Sequence, residues 1–153
     1  MQWTESIYVS ARPEAALEAV RDQNVLMGWS AWPEATGYTC AVEGDGRSVG
    51  SEIVFRSADG VEQGRQRIVA VGDGVVCNRM RNRGPRGRWV EPSVDFRVEP
   101  EGEGSRVHLD FEVEPPVPRI LRPLANRYLT RSIRPVHVED LVRLKALVET
   151  GQA

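Results

Sequence analysis

The sequence predicts an α+β fold in which one antiparallel sheet is covered by a long C-terminal helix. Three observations lead to this. Strand-like segments separated by turn residues fill the middle of the chain, a long helical stretch follows them, and that stretch is the one long apolar helix available to cover the sheet. The chain has 153 residues, enough for a substantial core, and we expect a single domain over residues 1–153.

The first part of the chain predicts a strand and two short helices. Apolar residues on alternate positions indicate a strand over Ser6–Ala11. Pro13 suits the first position of a helix, whose apolar face continues to Arg21. A second short helix is predicted near Val25–Trp29.

Six further strands are predicted after the short helices, which gives a seven-stranded sheet. The turns between them, EGDG, ADG, GDG, RGPRG and EPEGEG, are rich in residues that accept a positive φ or preset a turn. In the last strand apolar and polar residues alternate strictly, which indicates one buried and one solvated face. The six predicted strands are Tyr38–Glu43, Gly50–Ser57, Glu62–Val71, Val75–Arg83, Arg88–Val98 and Ser105–Glu114.

A helical stretch is predicted from Arg119 to Thr150, with Gly151 as its C-terminal stop. Its apolar stripe changes phase by about one residue, roughly 100°. The segment between the two phases contains Pro135, and a proline inside a helix removes a backbone hydrogen bond at a cost of about 3 kcal/mol. The sequence therefore predicts a kink or a break at Pro135. The first phase comprises Leu121, Leu124, Ala125, Tyr128 and Ser132, and the second comprises Val138, Leu141, Leu144 and Val148.

Composition and charge exclude several classes of protein. With 41% hydrophobic and 27% charged residues, the chain is typical of soluble globular proteins, and its apolar runs are too short for a membrane span. The N-terminus lacks the pattern of a signal peptide, so we expect a cytoplasmic protein. The net charge of −2 argues against a general nucleic-acid binder. Cys40 and Cys77 are expected to be buried free thiols.

Four segments resemble the START-like or SRPBCC superfamily and its polyketide cyclase/dehydrase branch. They are the opening IYVSARPEAALEAV, Trp29 in the short-helix region, the hairpin PEGEGSRVHLDFEVEP and the ending LVRLKALVE. The resemblance covers nearly the whole chain and implies a helix-grip fold, in which a curved seven-stranded sheet wraps a long kinked C-terminal helix. It also implies a ligand cavity between sheet and helix. Members bind lipids, sterols or polyketides, and some catalyse cyclisation or dehydration.

Aromatic and aliphatic side chains are the candidates for ligand binding, since flat rings suit planar apolar ligands. Ordinary core packing is the alternative for each of them, and for Trp29 it is the preferred one. The candidate ligand-binding residues are Trp32, Phe55, Trp89, Phe96, Leu124 and Tyr128.

Arginines form the strongest charge anomaly, in two groups on neighbouring strands. Arg65 and Arg67 share one face of their strand, and Arg79, Arg81 and Arg83 share one face of the next. If they point inward, they could bind an anionic headgroup or polarise a carbonyl. If they point outward, they form a solvated sheet face balanced by nearby carboxylates.

The two histidines lack a third ligand at metal-site spacing, so no metal is expected. His108 falls on the solvated face of its strand, whereas His137 lies beside Pro135, where surface or capping duty is the preferred interpretation and a general acid or base is the alternative. The candidate catalytic residues are Arg67, Arg79, Tyr128 and His137. The glycines of EGDGRSVG miss the dinucleotide spacing and lead into a strand, so no cofactor is expected.

The leading hypothesis from the sequence is a carrier or sensor for a small, largely hydrophobic ligand, such as a lipid or a polyketide-like molecule. The alternative is a polyketide aromatase/cyclase or dehydratase acting in the same cavity. A regulatory module that binds a partner protein is a third. The expected partners are a small hydrophobic ligand without nucleic acid or an integral membrane segment, and the chain is expected to be a monomer or a homodimer.

Overall fold

A computed structural model describes residues 1–151 of the chain. Strand β1 (Gln2–Val9) is followed by helices α1 (Pro13–Arg21), α2 (Gln23–Trp29) and α3 (Trp32–Thr36). The chain then forms seven strands and ends in two helices, α4 (Arg122–Ser132) and α5 (Arg134–Glu149). The strands are β2 (Thr39–Glu43), β3 (Glu52–Arg56), β4 (Glu62–Gly72), β5 (Val75–Arg83), β6 (Trp89–Val90), β7 (Ser93–Glu101) and β8 (Gly104–Glu112).

All the strands join one antiparallel sheet in the order β1-β8-β7-β5-β4-β3-β2, and the two-residue β6 pairs with β5. The register of β4 shifts near Phe55 on its β3 side and after Ile68 on its β5 side. Such irregularities bend a strand and increase its twist. The predicted α+β helix-grip fold is confirmed, with an open antiparallel sheet, short helices after the first strand and a bent C-terminal helical segment.

Three of the differences from the predicted elements have identifiable reasons. β1 begins at Gln2, four residues early, because Trp3 continues the buried side of the strand. The predicted strand Arg88–Val98 is divided into β6 and β7 at Pro92, which has no N–H to donate to a ladder. A third helix, α3, starts with Trp32 and with Pro33 in its first turn, a position that proline favours.

The predicted break near Pro135 is confirmed, and its position is a boundary between helices. The C-terminal helical stretch is two helices that meet at Ile133, so Pro135 lies in the first turn of α5 and not inside a helix. In a first turn the missing N–H of proline is no loss, since those N–H groups have no partner within the helix. The bend is therefore a boundary between two helices, and the cost expected for an interior proline does not arise.

The core lies between the inner face of the sheet and helices α1, α2 and α5. The alternation predicted for the last strand is present, since Val107, Leu109 and Phe111 are buried while the residues between them face outward. Helix α5 closes the core from the other side with Leu141, Leu144 and Val148. None of the helices in residues 1–151 combines the length and the hydropathy that crossing a bilayer needs.

Candidate functional site

A cavity lies between the inner face of the sheet and the helices that cover it. Its volume is about 240 Å³, somewhat below the roughly 300–1,000 Å³ usual for ligand pockets. Most of its wall is apolar, so the space suits a small organic molecule of low polarity. The helices contribute Leu26, Trp29, Trp32, Leu129 and Ile133, and the strands contribute Ile53, Phe55, Met80, Val94, Phe96 and Phe111.

Three of the candidate ligand-binding residues, Trp32, Phe55 and Phe96, line this cavity. Trp89 lies outside it and is 37% exposed. The guanidinium carbon of Arg81 lies 4.5 Å from the centre of the Trp89 ring. Trp89 therefore serves a cation–π contact at the edge of the sheet, where it stacks against a charged side chain.

Leu124 and Tyr128, the two remaining candidates, point away from the cavity and are 69% and 68% exposed. The side of α4 that faces the protein carries the half-buried Asn126, Leu129 and Ile133 instead. Large apolar side chains are thus present on both sides of α4, and the predicted stripe was placed on the wrong one.

The inner stripe runs through both C-terminal helices without the predicted change of phase. From Ile133 it continues at steps of three and four residues through the buried positions of α5. Val138, predicted to belong to it, is 45% exposed, and a buried histidine takes its place. The buried positions of α5 are His137, Asp140, Leu141, Leu144 and Val148.

All the arginines of β4 and β5 except Arg83 lie on the outer face of the sheet. Arg65 contacts Glu43 at 2.8 Å and Glu62 at 2.7 Å, and Arg79 contacts Asp95 at 3.3 Å. Side chains alternate along a strand, so the inner positions of the same two strands belong to other residues, among them Gln66, Met80 and Asn82.

Two candidate catalytic residues, Arg67 and Arg79, are exposed on this outer face, and the cavity lining does not include them. Arg83, at the end of β5, is the one arginine of the two groups that reaches the cavity wall. Arg67 or Arg79 could contact a molecule in the cavity only if the inner and outer faces of its strand were exchanged. The arginine groups therefore fit the solvated sheet face better than a binding site.

His137 is the one candidate catalytic residue that lines the cavity. Its Nδ1 accepts a hydrogen bond of 3.1 Å from Nε1 of Trp3, which places the proton of the neutral ring on Nε2. Burial lowers the pKa of His137 to about 4, since a charged imidazolium would lose its hydration there. The ring is therefore neutral at physiological pH.

Asp140 lies one helical turn further along the same face of α5 and also lines the cavity. Its Oδ1 accepts a hydrogen bond of 2.6 Å from the backbone N–H of Ala31 and one of 3.3 Å from Ser30 Oγ. Burial nevertheless raises the pKa of Asp140 to about 6. This carboxyl group fixes the α2–α3 connection to α5 and titrates near neutral pH.

Two buried polar atoms near these helices lack a hydrogen-bond partner among residues 1–151. They are Nε1 of Trp32, whose ring lines the cavity, and Oδ1 of Asn126 on the inner side of α4. An unpaired buried donor or acceptor costs about 1–3 kcal/mol. Nε1 of Trp32 is thus a place where a polar atom of a molecule in the cavity, or a water, would be stabilised.

The possible metal ligands and the two cysteines are the remaining residues singled out from the sequence. Within residues 1–151 no group of three or more His, Cys, Asp or Glu residues is arranged to hold a metal ion. Both cysteines are free and half-buried, less buried than expected. Cys40 lines the cavity, whereas Cys77 lies on the outer face beside Asp95. Burial raises the pKa of both thiols, which disfavours the reactive thiolate.

Sequence reasoning missed Asp140, Ser30 and Trp3 as parts of the site. The signal for Asp140 was present, because His137 and Asp140 are three residues apart and share a helix face with Leu141 and Leu144. Two ionisable residues within an apolar stripe are unusual, since buried charges are costly. Trp3 could not have been found this way, because its contact with His137 spans 134 positions of the chain.

Solved structures of similar fold cover nearly the whole chain. Protein CV1439 from Chromobacterium violaceum is 21% identical, with a TM-score of 0.67 over 97% of this chain and 96% of that one. The Aha1 dimer from Colwellia psychrerythraea is 19% identical, with a TM-score of 0.60 over 100% and 99% of the two chains. At these identities the likeness establishes the fold.

A di-domain protein of a biosynthetic pathway is also among the similar structures. The di-domain ARO/CYC StfQ from the steffimycin biosynthetic pathway is 13% identical with a TM-score of 0.69. The match covers 99% of this chain and 51% of StfQ, so this chain spans about half of the di-domain protein.

No curated protein matches the sequence. The family model described as polyketide cyclase / dehydrase and lipid transport, however, matches residues 2–149. This match covers all the strands and helices from β1 to the end of α5. The chain therefore belongs to the polyketide cyclase/dehydrase and lipid transport family.

Proposed function

We propose that the protein is a carrier or sensor that binds a small, largely hydrophobic ligand in the cavity between sheet and C-terminal helices. The whole chain, residues 1–153, would act as one ligand-binding domain in the cytoplasm. The observation that carries the proposal is the apolar cavity with a few polar groups at the helix side, the usual design of a small-molecule site. A lipid or a polyketide-like molecule has matching chemistry.

The polar groups of the cavity favour a ligand with a hydroxyl or carbonyl group over a carboxylate. Asp140 is at least partly ionised at neutral pH and would repel an anion beside it. Nε2 of His137 and Nε1 of Trp32 are donors that suit a neutral oxygen. Arg67 and Arg79, which would attract an anion, lie on the far side of the sheet, and Arg83 is the one arginine of the two groups at the cavity wall.

A binding experiment with matched ligands tests this proposal. We would titrate the protein with 1-dodecanol and with dodecanoate at pH 7.5, following the fluorescence of Trp29 and Trp32 in the cavity wall. The alcohol is expected to bind at least tenfold more tightly, because burying a carboxylate beside Asp140 is costly. Native mass spectrometry of freshly purified protein is expected to show an apolar molecule carried from the cells.

A pair of cysteine variants provides the control. Cys40→Phe adds a ring inside the cavity and should abolish binding, whereas Cys77→Phe adds the same ring on the outer face and should leave binding unchanged. Thermal unfolding checks that both variants remain folded, since overpacking costs about 1–3 kcal/mol. The proposal fails if neither ligand binds, or if both variants bind as the wild type does.

Catalysis in the same cavity is the second candidate, and the pairing of Asp140 with His137 favours it. In a dehydration, a base removes a proton from the carbon beside a carbonyl while an acid protonates the hydroxyl group that leaves as water. Ionised Asp140 is able to remove this proton and to deliver it to the leaving hydroxyl group, while the Nε2–H of neutral His137 donates a hydrogen bond to the carbonyl oxygen. Mass spectrometry distinguishes the two functions, because loss of 18 Da from a β-hydroxy ketone requires catalysis and is expected to stop in Asp140→Asn.

A further inference from the structure

One side of the C-terminal segment exposes an unusual concentration of large apolar side chains. They lie on the turn Arg119–Leu121 and on the outer side of α4, at positions 120, 121, 124 and 128. Single exposed apolar residues are normal, but a contiguous group indicates an interaction site. We name this group the α4 surface; its members are Ile120, Leu121, Leu124 and Tyr128, which are 86%, 48%, 69% and 68% exposed.

Arginines surround the α4 surface, and acidic residues are absent from it. The sequence has no Asp or Glu between Glu114 and Glu139. Arg127 and Arg131 lie three and seven residues after Leu124, so helical geometry places both on the outer side of α4. Both are exposed, and neither forms an ion pair within residues 1–151. The surface therefore combines positive charge with apolar area.

We propose that the α4 surface docks on a lipid bilayer that is rich in anionic phospholipids. The guanidinium groups of Arg127 and Arg131 match the phosphate groups of such lipids, which they bind through two parallel hydrogen bonds. Ile120, Leu124 and Tyr128 then enter the boundary between headgroups and acyl chains, as the apolar side of an interfacial helix does. Tyrosine is enriched at this depth, because its ring is apolar and its hydroxyl is polar.

Charge favours a bilayer over a second copy of the chain as the occupant. In a two-fold symmetric contact the same surface meets itself, and Arg127 and Arg131 of one copy would face those of the other. The protein as a whole carries a net charge of −2, so attraction to an anionic membrane has to come from this local patch, and docking would be oriented.

The α4 surface and the cavity share one helix. Leu129 and Ile133, on the inner side of the same segment, line the cavity. A docked protein would thus hold one wall of the cavity against the membrane. The proposal goes beyond ligand binding and does not depend on it, since the docking residues and the cavity residues lie on opposite sides of α4.

Flotation with vesicles tests the docking surface. The wild type is expected to float with vesicles made of equal parts phosphatidylglycerol and phosphatidylcholine, and to float poorly with phosphatidylcholine alone. Arg127→Gln with Arg131→Gln should weaken binding to the anionic vesicles about thirtyfold, because each arginine near the surface contributes about fivefold. Leu124→Ser with Tyr128→Ser should weaken it on the order of a hundredfold.

Two matched double variants control for charge and hydrophobicity. Arg79→Gln with Arg81→Gln removes the same charge from the outer sheet face, and Val138→Ser with Val142→Ser removes exposed apolar area from α5. Both should bind vesicles as the wild type does, and thermal unfolding should show all four variants folded. The proposal is overturned if the control variants lose as much vesicle binding as the variants of the α4 surface. It is also overturned if the wild type does not bind vesicles. It also fails if the Leu124/Tyr128 variant converts a dimer to a monomer without changing flotation.

Discussion

Helices α4 and α5 are consecutive parts of one C-terminal segment, yet they have opposite relations to the core. α5 buries five side chains, two of which are the ionisable residues of the cavity. None of the eleven residues of α4, all within the described range, is fully buried, and its largest apolar side chains face solvent. The difference shows that hydrophobicity alone does not identify the buried side of a helix. The inner side of α4 is the side that continues the buried stripe of α5, the helix that packs on the sheet.

Truncating a core residue of α5 is expected to have the largest effect on the free energy of unfolding. Leu144 is completely buried, so Leu144→Ala should lower the free energy of unfolding by about 2–5 kcal/mol through lost burial and the cavity that remains. Chemical denaturation measures this. Val142→Ala, on the exposed side of the same helix, is the control and should change stability by about 0.5 kcal/mol or less.

Asp140→Asn tests the ionisable pair of α5 through the pH dependence of stability. The pKa of Asp140 in the folded protein, about 6, is above its ordinary value, so the folded state binds the proton more tightly. Its contribution to stability is therefore present at low pH and is lost as the pH rises from about 4 to 6. The stability difference between variant and wild type should change by roughly 3 kcal/mol across this window.

His137 has the opposite effect on the wild type. Its pKa in the folded protein, about 4, is below the ordinary value, so stability is lost as the pH falls from about 6.5 towards 4. The two contributions oppose each other between pH 4 and 6. In Asp140→Asn only that of His137 remains, so the free energy of unfolding of this variant should rise with pH. A stability difference that stays constant with pH would show that Asp140 is not desolvated.

Pro135→Ala distinguishes a helix boundary from a kink. In the first turn of α5, alanine should change stability by less than about 1 kcal/mol, chiefly because the unfolded chain becomes more flexible. Thermal unfolding provides the measurement. A stabilisation of about 3 kcal/mol would instead mean that a continuous helix is strained by the proline.

The smallest effect is expected on α4. Leu124→Ser removes a side chain that is 69% exposed and should change the free energy of unfolding by about 0.5 kcal/mol or less. Denaturant titration beside Leu144→Ala gives the direct contrast. A loss of 2 kcal/mol or more would mean that α4 packs on the body with its apolar side inward.

The features that the sequence predicted best are those that depend on alternation of apolar and polar residues along a strand. β8 reads as one buried and one solvated face because Val107, Leu109 and Phe111 alternate with charged residues. β4 gives no such signal, since both its inward Gln66 and its outward Arg67 are polar. The direction of the arginine groups is fixed by pairing with β3 and β5, which only the folded structure supplies.

The candidate site was only partly accessible to sequence reasoning, for a similar reason. Trp32, Phe55 and Phe96 reach the cavity as aromatic residues on inward positions. Tyr128 and Trp89 are equally aromatic, but the side of a helix and the edge of a sheet keep them outside. Residue type suggested the chemistry, and tertiary packing decided which residues supply it.

The hydrogen bond between Trp3 and His137 also constrains the order in which the protein acquires its site. Among residues 1–151 β1 pairs with β8 alone, so this strand has no partner strand until residues 104–112 have been synthesised. His137 appears later still, and contacts between such distant positions form slowly. The cavity is therefore completed only after α5 has left the ribosome, and a nascent chain that stops before α5 would carry Trp3 without the imidazole that it orients.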